Sequence, residues 1–101
     1  MNFQKDLRIN GTSLKGYLAA TYNELVAVFG EPTHGPDDRE GDKVTCEWQL
    51  LFEDGTYATI YDWKTDNTPM RFYDWHIGGK SFAAVLRITE TFDNHMEKQN
   101  A

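Results

Sequence analysis

Gly78-Gly79-Lys80-Ser81 is the stretch of this chain best suited to hold an anion. A glycine pair ahead of a helix start leaves backbone amides accessible, and the helix dipole, the Lys80 ammonium and the Ser81 hydroxyl all favour negative charge there. A Walker-type nucleotide loop needs another glycine five places before Gly79, and position 74 is Asp, which excludes that class. A simple phosphate or carboxylate site survives, beside the plainer alternative of a tight turn with an ordinary helix cap. A short echo, Tyr61-Asp62-Trp63-Lys64 and Tyr73-Asp74-Trp75-His76, supplies rings nearby. Aromatics on a sheet stack nucleobases in single-strand-binding modules, and the same rings suit strand propensity and core filling. Tyr61, Trp75 and His76 with Gly78, Gly79, Lys80 and Ser81 therefore make the candidate ligand site.

Glu47, Asp62 and Asp74 form an acidic trio with His76 in reach if the third strand lies beside the hairpin. Carboxylates directly opposed across strands destabilise a sheet unless a cation intervenes. Oxygen donors with one imidazole suit Mg or Mn better than structural zinc. Lys43, Lys64 or Arg71 would neutralise the same charges, so no metal and no cofactor is expected. Cys46 alternates into a core-facing strand with no predicted histidine partner, and no Ser lies in a nucleophile elbow. No catalytic residue is expected.

The charge balance narrows the partners. Ten Lys and Arg against sixteen Asp and Glu give −6, and the window from Glu31 to Asp42 carries most of it through Glu31, Asp37, Asp38, Glu40 and Asp42. No cluster of Lys and Arg exists to neutralise phosphates, so direct duplex binding is disfavoured. An acidic protein instead complements the basic groove of a nucleic-acid-binding protein. No apolar run reaches the ~20 residues of a membrane helix, and no signal-peptide pattern opens the chain. The lone Cys46 rules out an internal disulfide and fits a reducing, intracellular setting.

The positioning elements are marked locally. Phe3 to Ile9 alternates weakly as an edge strand, and Leu14 to Leu18 reads as a second extended piece. Thr21 and Glu24 have capping-box spacing ahead of Leu25, Val28 and Phe29, and Gly30 and Pro32 stop a helix over about 21–29. Val44 to Phe52 alternates strictly, Asp54-Gly55 suits a two-residue type I′ turn, and Thr56 to Lys64 returns. That turn pairs Phe52 with Tyr57, Leu50 with Thr59, Trp48 with Tyr61 and Cys46 with Trp63, all toward the core. Glu47, Leu51, Ile60 and Asp62 then fall on the outer side, as contact surface or a dimer seam. Phe72 to Ile77 reads as a third strand. Ser81 caps a closing helix whose stripe is Phe82, Val85, Leu86, Thr89, Phe92 and Met96. The fold expected is one α+β domain: an antiparallel sheet of three to five strands around hairpin 43–64, with helices 21–29 and 81–96 on one face.

Gly16 to Val26 with Phe29-Gly30-Glu31-Pro32, then Lys43 to Trp48, Phe52 to Thr56, Ala58 to Lys64 and Trp75 to Gly79, form a string that resembles a family of small phage-encoded proteins, mostly without assigned activity. The resemblance implies a phage accessory protein in the cytoplasm of an infected bacterium. Proteins of that niche inhibit host defence nucleases, as anti-CRISPR proteins do, or sequester signalling nucleotides. The expected function is thus docking on a host defence protein through Glu31, Asp37, Asp38, Glu40, Asp42, Glu47, Leu51, Ile60 and Asp62, with nucleotide or anion binding as the alternative and a metal-dependent phosphoester hydrolase on Glu47, Asp62, Asp74 and His76 as a third reading.

Overall fold

The computed structural model describes residues 2–5, 11–35, 44–65 and 67–99. Five strands, β1 (Phe3–Lys5), β2 (Ser13–Ala20), β3 (Glu47–Phe52), β4 (Tyr57–Tyr61) and β5 (Tyr73–Gly79), form one antiparallel sheet in the order β1-β3-β4-β5-β2. Helix α1 (Tyr22–Phe29) follows β2, and α2 (Ala83–Gln99) follows β5. Both bury residues against the sheet face that carries Trp48, Leu50, Ile60, Trp75 and Ile77, which gives the expected α+β architecture.

Helix α1 starts where the capping box demands. Thr21 Oγ1 accepts from Glu24 N at 3.1 Å, and Glu24 Oε1 accepts from Thr21 N at 2.8 Å, so two orphan amides are satisfied reciprocally. Gly30 ends it at φ +83°, a conformation that favours glycine. The two buried indoles hold its ends: Trp75 Nε1 donates to Ala20 O at 3.0 Å and Trp48 Nε1 to Gly30 O at 2.8 Å. Trp48 and Trp75 meet edge to face at 5.6 Å, so each buries its area and keeps its one donor paired.

The β3–β4 turn differs from the two-residue expectation. Gly55 N donates to Phe52 O at 2.9 Å, Phe52 N donates to Thr56 O at 2.9 Å, and Gly55 sits at φ +88°. This is a three-residue connection, a type I turn followed by a left-handed glycine. Asp54 stabilises it by accepting from Thr56 N at 3.0 Å and from Arg87 Nε of α2 at 2.8 Å. The register slips by one residue: Trp48 faces Ile60, Leu50 faces Ala58, and Glu47 faces Tyr61. A one-residue slip inverts a whole strand. Ile60 and Ala58 enter the core, and Tyr57, Thr59 and Tyr61 turn to the opposite face. This register keeps Ile60 and Ala58 under the helices and leaves the Tyr57 and Tyr61 hydroxyls on the other face, where they need no partner in the core.

The stripe of α2 is also rotated from the expected one. Ala84, Ile88 and Phe92 are buried, whereas Phe82 and Leu86 are exposed. Ala84 is selected by closeness: a Cβ on Gly79 would lie 2.4 Å from Ala84 Cβ, so helix and strand approach through two minimal side chains. Reading only the large apolar residues of 81–96 misses that contact.

Candidate functional site

One row of residues crosses four strands on the face turned away from the helices: Glu47 beside Tyr61, Tyr61 beside His76, His76 beside Tyr17. His76 is its centre. Its ring lies 5.0 Å from Tyr17, 5.3 Å from Tyr61 and 6.4 Å from Trp63, with Tyr61 and Trp63 edge to face at 6.4 Å. Tyr17 is 56% exposed and Trp63 40% exposed, while Tyr61, His76 and Glu47 are half-buried. The cluster thus has a shielded floor and two accessible outer rings.

Gly78 makes the floor possible. It pairs with Thr59 on one side and Leu14 on the other, and a Cβ there would fall 2.4 Å from Thr59 Oγ1 and 3.3 Å from Tyr61 Cε1. The absent side chain lets the Tyr61 ring lean across β5. Gly79 does the equivalent work on the other face, beneath Ala84. The glycine pair therefore belongs to the strand, one residue serving each face, and its backbone is committed to the ladder rather than offered to an anion. Lys80 lies over the Tyr57 ring at 4.6 Å, and Ser81 Oγ accepts from Ala83 N at 3.3 Å. The expected anion turn is corrected to a strand end followed by a capped helix.

Polar groups on this face feel their dryness. Burial pushes the Glu47 carboxyl up, partly offset by its hydrogen bond from Gln49 Nε2 at 3.2 Å and by His34. Burial also lowers His76, with Asp62 acting weakly in the opposite sense. His76 Nδ1 and Gln49 Oε1 are buried without a hydrogen-bond partner. Burial, then the neighbouring Glu47, raises Tyr61. The cluster is consequently neutral at its centre, with carboxylates at its margins: Glu47 at one end and exposed Asp74, which faces Ala19, beside the other.

Several expected site residues lie elsewhere. Ile60 is wholly buried in the core because of the register slip, and Trp75 is wholly buried between Trp48 and Tyr73. Neither is available to a partner or ligand. Asp62 is also fully buried, as a structural carboxylate. It accepts from Thr45 N at 2.7 Å, Thr45 Oγ1 at 2.5 Å, Cys46 N at 3.2 Å and the Thr65 hydroxyl, tying the approach to β3 to the end of β4. Glu47 and Asp62 are therefore not opposed, and no group of three or more metal-ligating side chains occurs among the described residues. Cys46 is buried, its thiol pushed up to about 12 by desolvation and then by Asp62, which makes it a poor nucleophile. Leu51 stays on the outer face beside Tyr57, half-buried, and Glu31 is exposed. Asp37, Asp38, Glu40 and Asp42 lie outside the described residues.

Tyr17 and Trp63 complete the cluster, and neither stood among the expected site residues. The clue for Tyr17 is alternation through Tyr17, Leu18, Ala19 and Ala20, which puts Leu18 and Ala20 in the core and Tyr17 out. No helix of the described residues is long and apolar enough to cross a membrane. No protein-family model, curated protein or solved structure matches the chain.

Proposed function

We propose that this chain is a non-catalytic binding protein that seats the Tyr17–His76–Tyr61 row and Trp63 on a basic surface of a host protein. In the phage setting implied by the resemblance, that partner is a nucleic-acid-binding component of host defence. The observation that carries the reading is the ring cluster, with two exposed aromatics on a sheet face that neither helix covers. Tyr and Trp are the side chains most often found as interface anchors, because they bury large area at small entropic cost. Glu47 and Asp74 border the rings and the chain carries −6, so partner Arg and Lys side chains find both faces to stack on and carboxylates to pair with. The acids of 31–42 add a longer-range field that speeds encounter.

The test is affinity capture from bacterial lysate followed by binding kinetics on the purified partner. Wild-type protein is expected to retain a basic, nucleic-acid-binding protein in a salt-sensitive manner. Tyr17→Ala with Trp63→Ala is expected to weaken it by ~100-fold, as loss of two anchors does. Reversing Asp37, Asp38, Glu40 and Asp42 to Lys is expected to slow association chiefly. Equal affinity of the double alanine variant would refute the assignment of the face. A thermal shift with nucleotides and no captured protein would turn the reading toward base stacking on the same rings.

A further inference from the structure

The sheet has two unlike edges. β1 offers three residues, and the described chain continues along β3 where His34 bridges Glu47. β2 offers eight residues, and among the described residues nothing pairs with its outer side. Exposed edges are usually blunted by charge, proline or a bulge. β2 has its irregularity between Leu14 and Gly16, where Lys15 is also the only charge from Gly11 to Ala20. Beyond it, Gly16 to Ala20 is regular, uncharged and free of proline.

An apolar strip runs beside that edge. Val85 of α2 rests on Gly16, where a Cβ would come within 2.9 Å of Val85 Cγ2. On the same flank of the helix, Phe82 and Leu86 are 60% and 53% exposed; Leu86 N donates to Phe82 O at 3.3 Å, which places them on adjoining turns. Leu14 and Tyr17 are exposed on the strand as well, Tyr17 on the sheet face turned away from α2, so apolar side chains flank this edge on both faces.

We infer that β2 is the seam of a two-fold dimer in which Gly16–Ala20 of two copies pair antiparallel and the Phe82–Leu86 flanks of α2 meet above them. Two requirements identify the occupant. The free backbone groups of β2 call for an extended strand, and the adjacent helix flank calls for apolar side chains at the same height. A lone peptide strand meets the first and leaves Phe82 and Leu86 in water. A second copy meets both, because a two-fold axis sets strand against strand and flank against flank. On the strand itself charge permits the pairing, since Gly11–Ala20 contains no acid and one base, Lys15. The sheet then continues through both copies, and the two ring clusters lie on one continuous face.

Sedimentation equilibrium across a dilution series tests this directly. Wild-type protein is expected to move reversibly between the 11.7 kDa chain mass and twice that value. Phe82→Glu with Leu86→Glu alters exposed positions only and is expected to raise the dissociation constant by ~100-fold or more while far-UV circular dichroism stays unchanged. Leu51→Glu, on the outer face of β3 well away from β2, is expected to leave the dimer intact. Hydrogen exchange supplies a readout without substitution: outward amides of residues 16–20 should gain protection as concentration rises. A monomer at every concentration, a dimer that survives the double Glu variant, a dimer lost in Leu51→Glu, or exchange independent of concentration would each overturn the inference.

Discussion

Both faces of the sheet carry clustered aromatic rings, and they differ in what covers them. The helix-covered face holds Trp48, Trp75, Ile60, Ile77 and Leu50, all fully buried, with both indole donors satisfied by backbone carbonyls. The other face holds Tyr17, Tyr61, Trp63 and His76, ring against ring, with two of the four substantially in water and one ring nitrogen unpaired. An aromatic in this protein is structural when its polar atom is paired and its ring covered by a helix. It is available when the covering layer is missing. Ring count along the chain does not separate the two; strand parity does.

Substitutions sharpen that contrast, and the largest effect belongs to the covered face. Trp48→Ala should cost about 3–5 kcal/mol, seen as a fall in the urea midpoint, since it opens a cavity beside Trp75 and frees the Gly30 carbonyl. Asp62→Asn should cost about 3 kcal/mol in the same measurement, because an amide nitrogen cannot accept from the donors that converge on that carboxylate. Gly78→Ala forces a methyl group against Thr59 and Tyr61 and should cost about 1–3 kcal/mol, while altering the near-ultraviolet signal of the displaced ring. Tyr17→Ala should lie within about 0.5 kcal/mol of wild type, as an exposed position does, even as binding falls. If Tyr17→Ala proves as damaging as Trp48→Ala, the two faces are not functionally distinct.

The smallest effect is one of pH. Because burial lowers His76, the unfolded chain binds the proton more readily than the folded one. The stability this group contributes is complete above the ordinary imidazole value of about 6.5 and is lost as pH falls from there through the folded value. Glu47 acts in the opposite sense and lower, its raised carboxyl losing stability as pH climbs from the usual carboxylate value to the folded one. Urea midpoints at about pH 7.5 and about pH 5.5 should therefore differ more in wild type than in His76→Gln, isolating the histidine. An identical pH difference in both proteins would show that His76 does not sense the dryness of its surroundings.

Much of the architecture was legible along the chain. Thr21 with Glu24 and Gly30 marked α1 and strict alternation marked β3, because each is a local signal with a local cause, whereas Gly78-Gly79, which reads as a turn, lies inside β5. The face assignment of β4 was not legible from Asp54-Gly55. That dipeptide serves both a two-residue and a three-residue turn, and the choice depends on contacts remote in sequence: Arg87 of α2 on Asp54, and Ile60 and Ala58 under the helices. The candidate site suffered from the same ambiguity. Ile60 turns into the core and Trp63 out of it with the slipped register, whereas Trp75 is buried by the parity of β5, which sets it on the helix-covered face opposite His76. Alternation in β2 turns Tyr17 outward, but its place beside His76 is not legible, because the β2–β5 pairing joins segments about sixty residues apart.

Trp63 gives the molecule its own reporter. Two of the three indoles are sealed from water, so any collisional quencher added to the solvent, such as iodide or acrylamide, acts on the third almost alone. Its emission originates within the ring cluster, beside His76 and Tyr61. Occupation of that surface would then be registered as shielding of a single native fluorophore, with no label attached.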